Sequence, residues 1–394
     1  MKKRFIHSLC FLLILSPILA QKISKDKKAI IVALDQKEAF YQKTALTIWN
    51  YAEIGYQEHK SSQLLQDILK NEGFALEVGV AGLPTGFVAS YGSGKPVISM
   101  LAEFDALPGV SQEAVPFRKE RTDGNLSGHA CGHHLFGTGI VSAAIEVKNW
   151  MQNNKIKGTL RIHGTPAEEG GSGKVYMARE GLFDDVDMSM YWHAGNQNSV
   201  RVASNLAIAS VKYRFKGIST HAAGAPERGR SALDGVEVMN YMMNMMREHI
   251  SSASRVHYVI TKGGEAPNVV PAHAEVYYFF RHPDMRVVKD LLERSIKAAE
   301  GAAMGTGTSM TYEMTGGSFN ILPNKILSEV VHANLEMVGG VEYTEEEHLF
   351  AKTLMNTFNS EGLSPEMAAS VAPFSASEIA GNYSTDAGDV SWIV

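Results

Sequence analysis

Between about residues 87 and 192 the chain alternates short apolar runs with longer helical segments, and this alternation most narrows the folds open to it. Residues 87–91 and 97–102 are apolar and bounded by Gly and Pro, the texture of strands buried in a sheet. A helix over about 136–151 and strands over 159–163 and 188–192 continue the order. Strands joined through helices argue for a largely parallel sheet covered by helices. Ahead of them, residues 24–72 read as helical, with Leu64, Leu65, Ile68 and Leu69 on one face and a stop at Gly73.

From about Val202 the texture changes. Long alternating strands over 207–215, 257–261 and 274–280 surround a helix at 231–249, which predicts an antiparallel sheet backed by helices. A helix over 284–303 precedes a strand over 309–314, and helices recur near 325–337 and 345–358. Met239, Met242, Met243, Met245 and Met246 fall at helical spacing and read as core or interface packing. A chain of 394 residues exceeds the roughly 250–300 at which single cores stop growing. The expected organisation is therefore one domain from 21–203 and 318–394, interrupted by a second from 204–317.

Residues 1–20 read as a secretory signal peptide: Lys2, Lys3 and Arg4, an apolar run over 9–15, then Ser16, Pro17 and Ala20. Its removal takes the formal net charge from −5 to −8 and discards Cys10, which leaves Cys131 as a single thiol. No later run reaches the ~20 apolar residues that span a bilayer. The acidic balance gives no electrostatic footprint for nucleic acid or an anionic membrane, so the expected partner is a small molecule. A secreted, periplasmic protein follows from the leader.

The chemistry concentrates in three places. Residues 127–134 place Cys131, His129, His133 and His134 within six positions, a mixture of soft sulfur and imidazole that suits a transition metal and also fits a catalytic Cys/His pair. After the strand ending near His163 comes Thr165-Pro166-Ala167-Glu168-Glu169-Gly170-Gly171. Neighbouring side chains in an extended chain point opposite ways, so one carboxylate can bind a metal while the other serves as general base and then general acid. Trp192-His193-Ala194-Gly195 ends the next strand, at the carboxyl edge where open α/β sheets collect ligands. A site of Cys131, His133, Glu169 and His193 is the economical reading.

The order Ala102-Glu103-Phe104-Asp105-Ala106-Leu107-Pro108-Gly109, His129-Ala130-Cys131-Gly132-His133, Pro166-Ala167-Glu168-Glu169-Gly170 and Trp192-His193 resembles the M20 metallopeptidase and amidohydrolase family, most nearly its aminobenzoyl-glutamate utilisation group. The likeness runs from about residue 40 to the end, through Ser384-Thr385-Asp386 and Gly388-Asp389-Val390-Ser391-Trp392. It implies an α/β, phosphorylase/hydrolase-like zinc-peptidase catalytic domain with an inserted α+β lid through which subunits form a homodimer. It also implies two divalent ions, zinc or manganese, with Cys131, His133, Glu169 and His193 as metal ligands, Glu168 as general base and Asp105 orienting a ligand. Glu103 stands where many members have a ligand His, and a structural carboxylate is expected there. In the lid, residues 217–226 resemble the motif whose His, here His221, steadies the oxyanion in the partner's site. Asn268 and Arg281 resemble residues that hold substrate, and a surface ion pair is the alternative for Arg281. Relatives continue past Trp392 to a further strand and a last ligand His, so the chain is expected to be C-terminally truncated and one ion short of a ligand.

The expected activity is cleavage of an N-acyl or N-aroyl amino acid amide. Two rivals remain: a catalytically impaired dimeric binding protein, and a thiol enzyme using Cys131 with His133.

Overall fold

The computed structural model describes residues 23–377 and 379–394. Residues 1–20, read above as a signal peptide, and with them Cys10 lie outside the described residues. Instead of one helical stretch, the first fifty described residues form three helices, α1 (Lys25–Gln36), α2 (Glu38–Tyr51) and α3 (His59–Asn71). The second break falls where Ala52 turns left-handed at φ 42° and caps α2. Then follow β1 (Ala75–Val78), β2 (Phe87–Ser93), β3 (Val97–Ala102), α4 (His133–Asn154), β4 (Gly158–Gly164), a single turn α5 (Glu168–Gly171), α6 (Gly173–Arg179) and β5 (Met188–Met190).

The sheet order is β1-β2-β4-β3-β5. Strands β4, β3 and β5 run parallel, but β2 pairs antiparallel with both β1 and β4. The sheet, expected to be largely parallel, is therefore mixed, with its parallel part in β4, β3 and β5. Between β2 and β3 only Gly94, Lys95 and Pro96 intervene, too few for a crossover helix, so β2 must run back against its neighbours. Both faces are covered, which explains why β3 is apolar except at Ser99, whose buried hydroxyl pairs with His163 Nδ1 at 2.8 Å. Met100 and Ala102 face α2, α3 and α4 beside Ile48, Leu65, Ile140 and Ala144, while Val97 and Leu101 face Met177 and Phe183. Near the end of the chain, α11 (Ala387–Ser391) adds Ala387 and Val390 to that second face.

β6 (Arg201–Val202) leads into β7 (Ala207–Lys216), α7 (Ala232–Met246), β8 (Arg255–Lys262), β9 (His273–His282), α8 (Met285–Thr306) and β10 (Ser309–Ser318). These build a separate antiparallel sheet, order β10-β7-β9-β8, as the alternation predicts. Ala209, Val211, Tyr213 and Phe215 of β7 and Val276, Tyr278 and Phe280 of β9 bury one face against Val236, Met239 and Met243 of α7 and Leu291 and Ala299 of α8. The buried phenols find partners on the helices: Tyr278 donates to Asn240 Oδ1 at 2.5 Å, and Tyr213 pairs with Ser295 Oγ at 2.5 Å. The chain returns through α9 (Lys325–Val338), α10 (Glu345–Met355), β11 (Ser375–Ala376), which pairs with β6, and α11 (Ala387–Ser391). Among the described residues no helix is long and apolar enough to cross a membrane.

Candidate metal centre

Three adjacent parallel strands end on the same edge of the first sheet, and each exit carries part of the site. Glu103 and Asp105 follow β3, Glu168 and Glu169 follow β4, and His193 follows β5. α4 starts beside them. Gly132 precedes its first residue at φ 92°, a conformation a side chain would strain, and the turn delivers Cys131 and His133 to the same edge. The fully buried His133 donates from Nδ1 to Asp105 Oδ1 at 2.7 Å, which leaves Nε2 as the free nitrogen. Nε2 has no hydrogen-bonding partner, although Glu103 Oε2 lies 3.3 Å away, off the hydrogen-bond direction. His193 likewise directs Nδ1 at the carbonyl of Ala194 at 2.8 Å and Nε2 at Cys131 Sγ at 3.2 Å. A carboxylate or carbonyl behind a histidine that presents its other nitrogen is the arrangement of a metal-ligating imidazole.

Ligand atoms of Cys131, His133 and His193 lie within 4.8 Å of one another, as do those of His133, Glu168 and Glu169. The adjacent carboxylates therefore converge, where an extended chain would splay them. Ala167 at φ 55° turns the chain out of β4 immediately before them, and Glu169 N–H is held by Asp105 Oδ2 at 2.9 Å. Asp105 thus accepts from both a ligand imidazole and the loop bearing two acids.

Electrostatics point the same way. Burial lowers the His133 imidazole, but Asp105, Cys131 and Glu103 outweigh it and push it up to about 11. Burial raises the Cys131 thiol, and the two imidazoles more than reverse this, so it lies below its ordinary value. Burial, then the Asp386 and Glu103 carboxylates, raise the Glu168 carboxyl. The His133 and Cys131 shifts both run in the direction of a cluster that favours added positive charge. Thiolate, imidazole and carboxylate together fit zinc or manganese, and the free Nε2 of His133 is the atom left to receive it.

The loop carrying the acids is held from behind by the segment after α2. Tyr56 donates to the Gly171 carbonyl at 2.5 Å, and the buried Glu58 accepts from Ala167 N–H at 2.8 Å and from the Thr85 hydroxyl at 2.9 Å. Glu58→Ala should lower stability by about 1–3 kcal/mol, because it strands two buried donors. Glu58→Gln, which still accepts from Ala167, should lose less. Urea unfolding checks both, and equal losses would remove the positioning role of Glu58.

Among the described residues no hydrogen bond or ion pair joins His221, Asn268 or Arg281 directly to the side chains of this cluster. His221 is exposed in a loop after β7, its Nδ1 accepting from Ala223 and Gly224 N–H at 3.2 and 3.0 Å. Asn268 is exposed, its carbonyl accepting from Ala222 N–H. Arg281, on β9, is half-buried over the Phe279 ring, with a 3.3 Å hydrogen bond to Ser384 Oγ and an unpartnered Nε. No ion pair joins it to an acid among the described residues. Two residues join the cluster without having been singled out as site residues: Asp386 and the wholly buried Lys174. Lys174 follows the Glu-Glu-Gly-Gly run by three positions, which is the only local signal for it.

Fold and site together define a metallohydrolase. Residues 100–387 match Peptidase family M20/M25/M40, and the chain belongs to that family. It is 39% identical over 384 residues to a p-aminobenzoyl-glutamate hydrolase subunit of Escherichia coli (strain K12), covering 91% of this chain and 80% of that relative. It is 28% identical over 313 residues to the Xaa-Arg dipeptidase of Mus musculus, covering 76% and 68%. Among solved structures it shares its fold with an aminobenzoyl-glutamate utilization protein from Klebsiella pneumoniae, at TM-score 0.66 and 20% identity over 92% of this chain and 95% of that one. A dinuclear metal binding peptidase of the M20 family from Bacillus subtilis gives TM-score 0.57 and 17% identity over 92% and 85%. The chain is accordingly a metal-dependent amidohydrolase with a candidate centre for two divalent ions.

Proposed function

We propose that the chain hydrolyses the amide bond of an N-acyl or N-aroyl amino acid of the aminobenzoyl-glutamate type, as a secreted, periplasmic homodimer joined through its second sheet. The observation that carries the hydrolytic reading is His133, oriented by Asp105 and presenting a free Nε2 to Cys131, Glu168, Glu169 and His193. Likeness to the Escherichia coli hydrolase supports the substrate class. Bound divalent ions would polarise the scissile carbonyl and acidify the attacking water. Glu168, raised by burial and by its acidic neighbours, takes the proton from water and returns it to the departing nitrogen. His221 of one protomer steadies the oxyanion in the other. Arg281, half-buried with a free Nε–H and no acidic partner among the described residues, offers parallel hydrogen bonds to a substrate carboxylate.

Release of p-aminobenzoate from p-aminobenzoyl-glutamate, followed chromatographically, tests this. Dialysis against a chelator should abolish release, and zinc or manganese should restore it. Activity that survives chelation but is lost to thiol alkylation would instead favour a Cys131 nucleophile.

A further inference from the structure

A third group of ligand atoms gathers beside the first two: Glu103, Glu168 and Asp386 also lie within 4.8 Å of one another. Three buried or half-buried carboxylates at that spacing would ordinarily protonate or collect a cation. This one already contains a cation. Lys174 is fully buried, and its ammonium lies 2.6 Å from Asp386 Oδ1 and 2.6 Å from Glu103 Oε1. Its backbone N–H donates to Asp386 Oδ2 at 2.8 Å, so the helix carrying the ammonium also fixes the acid it meets. The opposite oxygen of Glu103 is the one 3.3 Å from His133 Nε2, and the Tyr191 hydroxyl reaches that same oxygen at 3.3 Å. Burial disfavours the ammonium, but Asp386, Glu103 and Glu168 outweigh it and keep Lys174 charged.

We propose that Lys174 is the resident cation of this centre: its ammonium fills the Glu103–Glu168–Asp386 cluster, confines divalent ions to the Cys131, His133, Glu169 and His193 side, and holds Glu103 and Asp386 in place beside Glu168. The proposal rests on reading that side as the metal-holding one. Lys174 is a positioning residue, because it acts through the carboxylates it pairs with. Its charge can be replaced by that of a hard divalent ion, for which an all-oxygen cluster is well suited.

Manganese(II) bound per chain, counted by elemental analysis after equilibrium dialysis of the full chain, tests this. Lys174→Ala should bind one more ion than the wild type, and Lys174→Arg, which keeps a cation in place, should bind the wild-type number. Removing an acid as well, in Lys174→Ala/Asp386→Asn, should lose the additional ion, and methylammonium should displace it from Lys174→Ala. A purely structural lysine would leave the count and its response to methylammonium unchanged. Equal counts in Lys174→Ala and wild type overturn the proposal. So does a Lys174→Ala chain that fails to fold with or without manganese(II), since a vacated cation site should be refilled and stabilised by the ion. Ion counting needs no turnover, so a wild-type chain that hydrolyses nothing would sink the amidohydrolase reading and leave this comparison intact.

Discussion

Glu168→Gln is expected to lower kcat by about 10²–10⁴-fold, the range a positioned general acid–base group supplies, while metal content stays at the wild-type level. The amide has the size of the carboxylate and keeps an oxygen for the cluster, but it cannot accept a proton from water. Burial and the flanking Asp386 and Glu103 carboxylates raise Glu168, which suits a group that must take a proton and later give it up. Steady-state hydrolysis and elemental analysis on the same preparation check the prediction. A fall in kcat of less than tenfold at full metal content would remove Glu168 from proton transfer, and a parallel loss of metal would recast it as a ligand.

Asp105→Asn should weaken metal binding about 10–100-fold, as loss of a partner behind a ligand imidazole does. Asp105 accepts two hydrogen bonds at once, from His133 Nδ1–H and from Glu169 N–H. Asparagine has one accepting oxygen. If that oxygen serves His133, the amide NH₂ meets the Glu169 N–H, donor against donor. If it serves Glu169, the NH₂ faces Nδ1 and drives the imidazole proton onto Nε2, the atom the metal needs. Competition against a chromophoric chelator reads the affinity directly, and an unchanged value would show that Asp105 does not set the tautomer.

Much of this was legible in the sequence, because its signals are local. An apolar run of five or six residues predicts a buried strand, and the polar residues just beyond it mark the strand's exit. For that reason Cys131, His133, Glu168, Glu169 and His193, each close to such an exit or to a helix start, could be gathered from spacing and residue type. The alternation over 207–215 and 274–280 similarly predicts one buried face, because side chains on a strand alternate between faces. Strand direction was less legible. β2 has the composition of a parallel strand, since both faces of the sheet are covered, and its antiparallel pairing follows from the three-residue link to β3.

Convergence was not legible either. Whether Glu168 and Glu169 splay or meet depends on the left-handed turn at Ala167, and that turn is imposed by Glu58 and Tyr56 reaching in from more than a hundred residues earlier. Lys174 and Asp386 are 212 positions apart, and no periodicity or motif couples them. By itself the sequence determined the kinds of donor in the centre, their order along the chain and the strand ends that carry them, because those follow from residue chemistry and short-range periodicity. Only the tertiary structure decided how the charges balance, placing Lys174 among three acids and Asp105 behind His133. Such pairings depend on which side chains packing removes from water together, and a buried charge persists only where another is brought to meet it.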